Sequence, residues 1–405
     1  MQKYLRTAFC AALLSALALP GASHAQISGD TVRLGVLTDM SGIYSDNSGA
    51  GTVLATQMAV DDFGGKVRGK PIQVITGDHQ NKPDIGSNLA RQWMDTEGVD
   101  VIVDAIGSAV AFAVQNIAAE KNRVLLNVGS GAADLTGPAC TPVSVQWVWD
   151  TYAFGGILGK ALVERGKDSF FFLTVDYAYG EQMQRDMTRA VLAAGGKVLG
   201  SVRHPSGTSD FSSFLLQAQA SKAKVVGLAN AGNDTANTIK QATEFGMRQS
   251  GQDFAAIVAA REVRAIGLKS AQGLLAPVSW YWDMDDESRA FAKRFFDKRG
   301  VMPSEFQAGA YSAVLHYLKA AEAAGTDEAK AVVAKMKTLP IKDFFARNAK
   351  LRQDGRMVHD MYLVQAKSPQ DSKSDWDVLK IIQTVPGDKA FRPLQEGNCP
   401  LVSKS

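Results

Sequence analysis

Short apolar runs rich in β-branched residues alternate with amphipathic stretches along most of this chain, a pattern that predicts strands alternating with helices. The clearest case lies between residues 99 and 137. Two apolar runs, Val99–Val103 and Val124–Val128, flank an amphipathic segment at Ala109–Lys121, and a turn of small residues follows each run. We therefore predict two parallel strands joined by a helix, with both turns at the carboxyl edge of a sheet, where α/β proteins bind ligands.

The same alternation occurs twice along the chain. It begins at Thr31–Leu37 and starts again at Phe170–Val175, after a short aromatic strand at 145–149. Because strands that alternate with helices form parallel sheets covered on both faces, we predict the α/β class, with two doubly wound lobes. Two similar lobes favour a ligand site in the cleft between them.

Two later parts of the pattern matter for the site and for the way the lobes connect. Ala255–Ala259 predicts a strand, and Glu262–Lys269 predicts the helix after it. Near the end of the chain, Met357–Gln365 and Trp376–Ile382 predict a hairpin, with the polar segment Ser368–Asp375 as its loop.

The first 25 residues have the layout of a secretory signal peptide. Lys3 and Arg6 give a charged start, Ala8–Leu19 is an apolar core, and Ser23–Ala25 offers small residues for cleavage. We expect cleavage after Ala25 and export to the periplasm. The apolar core is too short to span a bilayer, and no later stretch reaches the ~20 apolar residues of a membrane helix, so we expect no membrane anchor.

Composition narrows the choice of partners. Of the 405 residues, 46% are hydrophobic and 21% are charged, which suits a globular protein with filled cores. The formal net charge is only +3. Such a balance gives no reason to expect nucleic acid or an anionic membrane surface as a partner.

The cysteines suggest a covalent link between distant parts of the chain. One of the three, Cys10, lies in the signal, which leaves Cys140 and Cys399 in the mature protein. In an oxidising compartment an even pair favours a disulfide. Two unpaired thiols are the alternative.

The sequence contains no clear motif for catalysis, nucleotide binding or metal binding. Gly129, Gly131 and Asp134 match a dinucleotide fingerprint poorly, since an acid stands where the third glycine belongs. No phosphate-binding loop with Gly-Lys-Ser/Thr occurs, and no Gly-x-Ser-x-Gly motif surrounds Ser130. The histidines after the signal lie far apart, without metal-ligand spacing. We therefore predict a binding protein with no cofactor and no metal, rather than an enzyme.

Short hydroxyl side chains beside free backbone N–H groups suit a carboxylate, which accepts several hydrogen bonds at once. Gly107 and Ser108 follow the first apolar run of the 99–137 stretch, and Gly129, Ser130 and Gly131 follow the second. The N–H groups at a helix start also favour an anion. We predict that these residues bind the carboxylate of a small ligand. The alternative is that both serines only cap helices.

Further candidate ligand contacts lie in loops at the equivalent sheet edges. Tyr44 is in the loop after the first strand, and Tyr179 follows the first strand of the second unit. Asn230 and Asn233 belong to the turn after a later strand of that unit. Because parallel strands end at one edge, we expect these side chains to face the cleft.

Two pairs of tryptophans lie near the places where the chain passes between the lobes. Trp147 and Trp149 form one pair and Trp280 and Trp282 the other, each at spacing i, i+2 and hence on one face of a strand. They either pack the hinge or line the cleft and stack on an apolar ligand. We include Trp282 among the predicted ligand contacts.

Five segments together resemble the periplasmic solute-binding proteins of ABC importers, of the leucine/isoleucine/valine-binding type. They are LGVLTDMSGIYSD, GSAVAFAVQNIAAEKNRVLLNVGSGAADLTG, FFFLTVDYAYG, DFSSFLLQAQASKAKVVGLANAGND and DGRMVHDMYLV. The likeness covers essentially the whole mature chain and looks closest to a branch linked to aromatic acids. It implies two lobes joined by three crossings, closure on a ligand, no cofactor, and delivery of the ligand to a membrane permease.

We divide the chain accordingly and expect a monomer. Residues 1–25 are the signal, 26–147 and 277–354 are lobe 1, 148–276 and 355–390 are lobe 2, and 391–405 are a C-terminal tail. The family's carboxylate-binding residues correspond to Ser108 and to residues 129–131. Its ligand-facing aromatic residues correspond to Tyr44 and Tyr179.

One departure from the family concerns the ligand. Family members that bind amino acids pair the ammonium group with an acid of the second lobe. In this chain the corresponding segment is Ala256–Glu262, where 259–261 read Ala-Ala-Arg and Glu262 would serve only if the register shifts. The resemblance therefore favours an acid without an ammonium group, such as an aromatic or branched keto or carboxylic acid.

We thus predict a periplasmic solute-binding protein for a small apolar carboxylate, with a branched-chain amino acid as a further option. One alternative is a ligand sensor of the same fold that docks to a membrane receptor. Another is an exported enzyme on this fold, against which the missing set of catalytic groups argues.

Overall fold

The computed structural model describes residues 26–402, and the predicted signal peptide lies outside the described residues. Helices and strands alternate through two parallel sheets, which confirms the predicted α/β class. No helix among the described residues has both the length and the apolar character needed to cross a bilayer.

A six-stranded sheet forms the first lobe. Its strands are β1 (Val32–Thr38), β2 (Lys66–Val67), β3 (Lys70–Asp78), β4 (Val101–Asp104), β5 (Val124–Asn127) and β6 (Ser144–Gln146). The order is β2-β3-β1-β4-β5-β6, and all pairs are parallel except β2 with β3. The helices are α1 (Gly49–Phe63), α2 (Pro83–Asp95) and α3 (Ser108–Glu120). Because β1, β4 and β5 are parallel neighbours, the loops that follow them meet at one edge.

A four-stranded parallel sheet forms the second lobe. Its strands are β7 (Ser169–Val175), β8 (Lys197–His204), β9 (Val225–Ala229) and β10 (Asp253–Ala255). They lie in the order β10-β9-β7-β8. The helices are α4 (Thr151–Val163), α5 (Ala178–Ala193), α6 (Ser212–Ala220), α7 (Asn233–Glu244), α8 (Ala260–Ile266) and α9 (Leu268–Ala271).

The remainder of the chain adds elements to both lobes. The helices are α10 (Asp286–Arg299), α11 (Glu305–Ala324), α12 (Ala329–Thr338) and α13 (Gly387–Ala390). The strands are β11 (Leu275–Val278), β12 (Lys350–Leu351), β13 (Met357–Val358), β14 (Met361–Ala366) and β15 (Leu379–Val385). An antiparallel sheet has the order β11-β14-β15, and β12 pairs with β13. Helix α11 packs against α1 of the first lobe, and β11 packs against α4.

The hairpin predicted near the C-terminus is only partly right. The segment Met357–Gln365 is interrupted, so that β13 pairs with β12 whereas β14 pairs with β15. At the interruption, Nε2 of His359 lies 3.1 Å from the carbonyl oxygen of Val148. This contact holds the chain where it passes between the lobes. The second strand, predicted at Trp376–Ile382, begins three residues later, at Leu379.

Three segments connect the lobes, and a buried ion pair joins two of them. The segments comprise residues 147–150 between β6 and α4, 279–285 between β11 and α10, and 356–360 between β12 and β14. Arg356 is only 1% exposed and lies 3.5 Å from the carboxylate of Asp150. The first and third crossings are therefore fixed to one another. The lobe boundaries given above remain a prediction.

The predicted disulfide is present. Cys140 and Cys399 are bonded, with their Cα atoms 5.6 Å apart, although 259 positions separate them in sequence. The guanidinium of Arg392 also donates to the carbonyl of Ala133, at 3.0 Å. The end of the chain is thus held against the first lobe.

Candidate ligand-binding site

A cavity of about 30 Å³ lies between the two lobes. Its wall consists of Tyr44, Asn47, Ile106, Gly107, Ser108, Gly129, Ser130, Gly131, Trp149, Tyr179, Ala231, Gly232, Ile257, Glu262 and Phe306. The wall includes every predicted ligand contact except Asn230, Asn233 and Trp282. It combines loops after β1, β4 and β5 with loops of the second lobe.

One side of the cavity carries the predicted carboxylate-binding residues. Ser108 is the first residue of α3, and Ser130 lies in the turn after β5. Ser130 Oγ donates to Ser108 Oγ at 3.1 Å, and its backbone N–H donates to Asn127 Oδ1 at 2.9 Å. No side-chain hydrogen bond caps the N-terminus of α3. The Ser108 hydroxyl, which lines the cavity, and the first N–H groups of α3 are therefore available as donors to an anion.

Two glycines of this wall are required by close packing. A Cβ on Gly129 would lie 2.6 Å from Cβ of Ile106, and one on Gly131 would lie within 3.2 Å of three ring atoms of Trp149. Such distances are too short for carbon atoms in contact. The small-residue turn therefore lets the backbone approach both the ligand space and the indole ring.

A buried carboxyl group lies directly behind this turn. Asp104 ends β4 with φ +92°, an uncommon conformation for a residue other than glycine, and accepts a hydrogen bond from Ser48. Burial raises the pKa of Asp104 to about 6. Below that pH the group is neutral, and the region around the predicted carboxylate site carries less negative charge.

Tyrosines join the two lobes over the cavity. The hydroxyl of Tyr44 in the first lobe is hydrogen bonded to the hydroxyl of Tyr177 in the second. The hydroxyl of Tyr179 is buried and has no hydrogen-bond partner in the described structure. A buried hydroxyl costs free energy unless it is paired, so Tyr179 is available to a ligand.

The apolar side chains of the cavity wall are those of Ile106, Trp149, Ile257 and Phe306, together with Ala231. Trp149 Nε1 donates to Glu305 Oε1 at 2.8 Å, and the backbone N–H of Ser279 donates to Glu305 Oε2 at 2.6 Å. Burial raises the pKa of Glu305 to about 8. Trp149 therefore lines the cavity and is also held by a group that joins the first and second crossings.

The structure corrects the expectation that the second lobe lacks an acid facing the cleft. Glu262 lines the cavity, and its Oε1 accepts a hydrogen bond from Asn47 Nδ2 at 2.7 Å, whereas Oε2 has no partner among the described residues. Strand β10 ends at Ala255 and helix α8 begins at Ala260, earlier than predicted. The early helix start turns Glu262 inward, while Arg261 points away and donates to the carbonyl of Met302.

Burial also changes the pKa of Glu262. The side chain is only 4% exposed, and desolvation raises the pKa of Glu262 above its ordinary value, although the Asn47 amide opposes this. A carboxyl group in this setting accepts from an ammonium when it is ionised and donates to an oxygen when it is protonated.

Three residues predicted as ligand contacts lie outside the cavity wall. Asn230 is buried beneath it, where its amide contacts His204 Nε2 at 3.1 Å and Thr235 Oγ1 at 2.8 Å. Asn233 is exposed at the start of α7. Trp282 lines a neighbouring cavity, because its Nε1 donates to the carbonyl of Trp376. Ala231 and Gly232 occupy the wall in place of the two asparagines.

Sequence reasoning missed Asn47, Ile106, Ile257, Phe306 and the inward position of Glu262. For Phe306 a partial signal exists, since Ser304 and Gln307 have the spacing of a capping box and so mark the start of α11. The direction in which Phe306 points depends on how α11 packs on the first lobe, which no local pattern specifies. The described residues contain no cluster of three or more groups able to hold a metal ion.

A two-lobed α/β chain with crossings between the lobes and a cavity at their interface has the architecture of a hinged ligand-binding protein. The chain belongs to the family described as "Periplasmic binding protein", whose profile matches residues 31–373. Proteins of this family bind solutes and are not enzymes.

Two crystal structures and one curated relative illustrate the likeness. A periplasmic binding protein from Burkholderia mallei is 49% identical, with a TM-score of 0.90 over 92% of this chain and 100% of that one. A branched chain amino acid ABC transporter periplasmic ligand-binding protein from Burkholderia xenovorans is 40% identical, with a TM-score of 0.82 over 91% and 99%. Leu/Ile/Val-binding protein homolog 6 of Brucella melitensis is 25% identical over 79% of this chain and 84% of that protein.

Proposed function

We propose that this protein is the solute-binding component of an ABC importer, which closes its lobes on a small carboxylate and delivers it to a membrane permease. The observation that carries the proposal is the composition of one cavity between the lobes. Ser108 and Ser130 of the first lobe and Glu262 and Tyr179 of the second face it together. Lobe closure would therefore bring both sets of polar groups onto the ligand.

The ligand's carboxylate is assigned to the first lobe. Ser108, Ser130 and the start of α3 offer hydroxyl and backbone donors, and an ionised acceptor makes such hydrogen bonds about twice as strong as neutral ones. The second lobe offers Glu262 instead, which would repel a carboxylate when ionised. Charge alone therefore orients the ligand between the lobes.

A second polar group on the ligand is assigned to Glu262 and Tyr179. Both have a buried oxygen without a partner among the described residues, and each such atom gains free energy by pairing. An ammonium suits ionised Glu262, and a hydroxyl or keto oxygen suits the protonated form. We therefore include amino acids among the proposed ligands, together with the aromatic and branched acids that the sequence favoured. The names of the relatives from Burkholderia xenovorans and Brucella melitensis agree with this range.

A thermal-shift panel of alanine, leucine, lactate, pyruvate, phenylpyruvate and benzoate tests the proposal, with each compound's carboxamide as its matched control. A ligand at 100 times its Kd stabilises the folded state by about 2.7 kcal/mol, which raises the melting temperature measurably. We expect at least one acid to raise it and the corresponding amide not to. If the amides act as well as the acids, or if no acid acts, the proposal is wrong.

Delivery to a permease needs a separate measurement. The partner importer, reconstituted in vesicles, should hydrolyse ATP faster when this protein is added together with its ligand than when either is added alone. Equal hydrolysis with and without the protein would refute the transport role while leaving ligand binding intact.

A further inference from the structure

One loop of the first lobe, residues 42–47, contacts three helices of the second lobe at their starts. Tyr177 is the residue before α5, Gly232 is the residue before α7, and Glu262 lies in the first turn of α8. These helices follow three neighbouring strands of one parallel sheet, so their N-termini lie along the edge that faces the cleft. The loop therefore reaches across the cleft to the whole of that edge.

Two of the contacts are hydrogen bonds between side chains. The hydroxyl of Tyr44 is bonded to that of Tyr177, and Asn47 Nδ2 donates to Glu262 Oε1 at 2.7 Å. Tyr44, Asn47 and Glu262 belong to the cavity wall, whereas Tyr177 does not. Tyr177 therefore acts on a ligand through Tyr44.

The loop is held in this shape by the first lobe alone. The buried carboxylate of Asp39 accepts from the backbone N–H of Gly42 at 2.6 Å and from that of Tyr44 at 3.0 Å. At the other end of the loop, Gln307 Nε2 donates to the carbonyl of Ser48 at 3.0 Å. A loop that is already ordered loses little conformational entropy when the second lobe closes on it.

The tyrosine pair stabilises the closed arrangement specifically. Tyr44 is only 6% exposed, so its hydroxyl depends on Tyr177 for a partner. A buried hydroxyl that loses its partner costs free energy, because water does not replace the lost hydrogen bond. In an open cleft, water solvates both hydroxyls. Removal of the Tyr177 hydroxyl would therefore destabilise the closed form and spare the open one.

A glycine permits the third contact. Gly232 has φ +60°, and a Cβ there would lie 2.6 Å from the carbonyl oxygen of Ile43. Gly246, just after α7, has φ +65°, yet a Cβ there would meet no atom closer than 3.9 Å. Alanine would strain the backbone similarly at both positions, but only at position 232 would it also obstruct closure.

We propose that Tyr177 and Gly232 are positioning residues, which retain a bound carboxylate by docking the second lobe on the 42–47 loop. The inference rests on the proposed function, because it concerns closure over the same cavity. Neither contact is needed for the first encounter of a ligand with an open cleft. Their loss should therefore raise the dissociation rate constant and leave the association rate constant nearly unchanged.

Stopped-flow fluorescence tests the inference, because Trp149 lies in the cavity wall and reports on its occupancy. The probes are alanine, leucine, lactate, pyruvate, phenylpyruvate and benzoate, and rates are compared for those that bind. Tyr177→Phe should raise the dissociation rate constant about three- to tenfold, with association changed by less than about twofold. Tyr311→Phe is the matched control, since its hydroxyl donates to Asp62 within the first lobe at 2.7 Å, and it should dissociate as the wild type does.

Two further comparisons distinguish docking from a general structural effect. In a Tyr44→Phe background, Tyr177→Phe should add little, because the pair is already broken. Gly232→Ala should weaken binding of the same probe at least about tenfold more than Gly246→Ala does, since only the first obstructs closure. Both glycine variants should lose a similar free energy of unfolding, measured by urea denaturation.

Three outcomes would overturn the inference. A dissociation rate constant of Tyr177→Phe within about twofold of the wild type would show that the tyrosine pair does not retain the ligand. An equal increase in the Tyr44→Phe background would show that Tyr177 does not act through Tyr44. Equal affinities of folded Gly232→Ala and Gly246→Ala would show that the second lobe does not dock at Ile43. In each case an acid still binds, so the proposed function survives, whereas the absence of binding by every acid would refute both.

Discussion

At the scale of single residues, the two serines of the first lobe carry the proposed carboxylate contact. Ser108→Ala and Ser130→Ala should each weaken binding of the best acid by about 1.5–3 kcal/mol, the usual worth of a hydrogen bond to a charged group. Isothermal titration calorimetry measures this directly. Ser213→Ala, at an exposed position on α6, is the control and should bind as the wild type does. Unchanged affinity in both cavity variants would place the carboxylate elsewhere.

Glu305 gives the protein a pH dependence that does not involve the ligand. Burial raises the pKa of Glu305 to about 8 in the folded protein, far above the ~4.3 of an unfolded glutamate. A raised pKa means that the folded state binds the proton more tightly. This contribution to stability is therefore complete below about pH 4.3 and is lost as the pH rises through 8.

Glu305→Gln should remove that contribution. Between pH 5 and pH 9 the free energy of unfolding of the wild type should fall relative to that of the variant, as measured by urea denaturation at a series of pH values. Glu164→Gln, at an exposed position after α4, should follow the wild type throughout. A constant difference between wild type and Glu305→Gln would contradict the assignment.

The site residues show where sequence reasoning succeeds and where it stops. Ser108 and the 129–131 turn were predictable, because small residues after two adjacent parallel strands must meet at one edge of the sheet. Glu262 was not, because its direction depends on a helix that begins two residues earlier than the pattern suggested. Phe306 and Asn47 meet only through the packing of α11 on α1, which leaves no local trace in sequence.

At the scale of elements, the start of α11 links helix stability to the site. Ser304 Oγ accepts from the backbone N–H of Gln307 at 3.2 Å, and the Gln307 side chain accepts from the Ser304 N–H at 3.0 Å. The Ser304 hydroxyl also donates to the carbonyl of Asn47 in the loop after β1. The capping box therefore anchors the loop that places Asn47 in the cavity wall.

Removing this cap should have a measurable cost. Ser304→Ala should lower the free energy of unfolding by about 0.5–2 kcal/mol, the range measured for N-cap hydroxyls. Urea denaturation provides the measurement, and Ser304→Thr, which keeps the hydroxyl, should recover most of the loss. If the threonine variant is as unstable as the alanine variant, packing rather than capping explains the effect.

Errors among the predicted elements have a common physical origin. The central strands β1, β4, β5 and β7 were predicted well, because buried parallel strands are apolar runs bounded by turn residues. The segment around His359 was predicted as one strand, yet it divides where the chain crosses between lobes. The position of the break depends on contacts with another crossing, whose residues are remote in sequence.

At the scale of the whole molecule, the crossings form one buried polar cluster instead of three independent linkers. Arg356 joins the third crossing to Asp150 of the first, and Glu305 joins Trp149 of the first to Ser279 of the second. Because Trp149 also forms a cavity wall, the hinge and the ligand space share a side chain. Closure of the lobes and the shape of the cavity wall therefore depend on the same cluster.

The disulfide supplies a stabilising link that does not touch the ligand. Cys140 and Cys399 enclose most of the chain, so the bond restricts the unfolded state strongly. The double variant Cys140→Ala/Cys399→Ala should lose about 2–4 kcal/mol of unfolding free energy, measured by urea denaturation without reductant. Neither cysteine lines the cavity, so affinity for the best acid should stay within about twofold of the wild type at a temperature where both fold. A large loss of affinity would mean that the tail, through Arg392 and Ala133, positions the turn that holds Ser130.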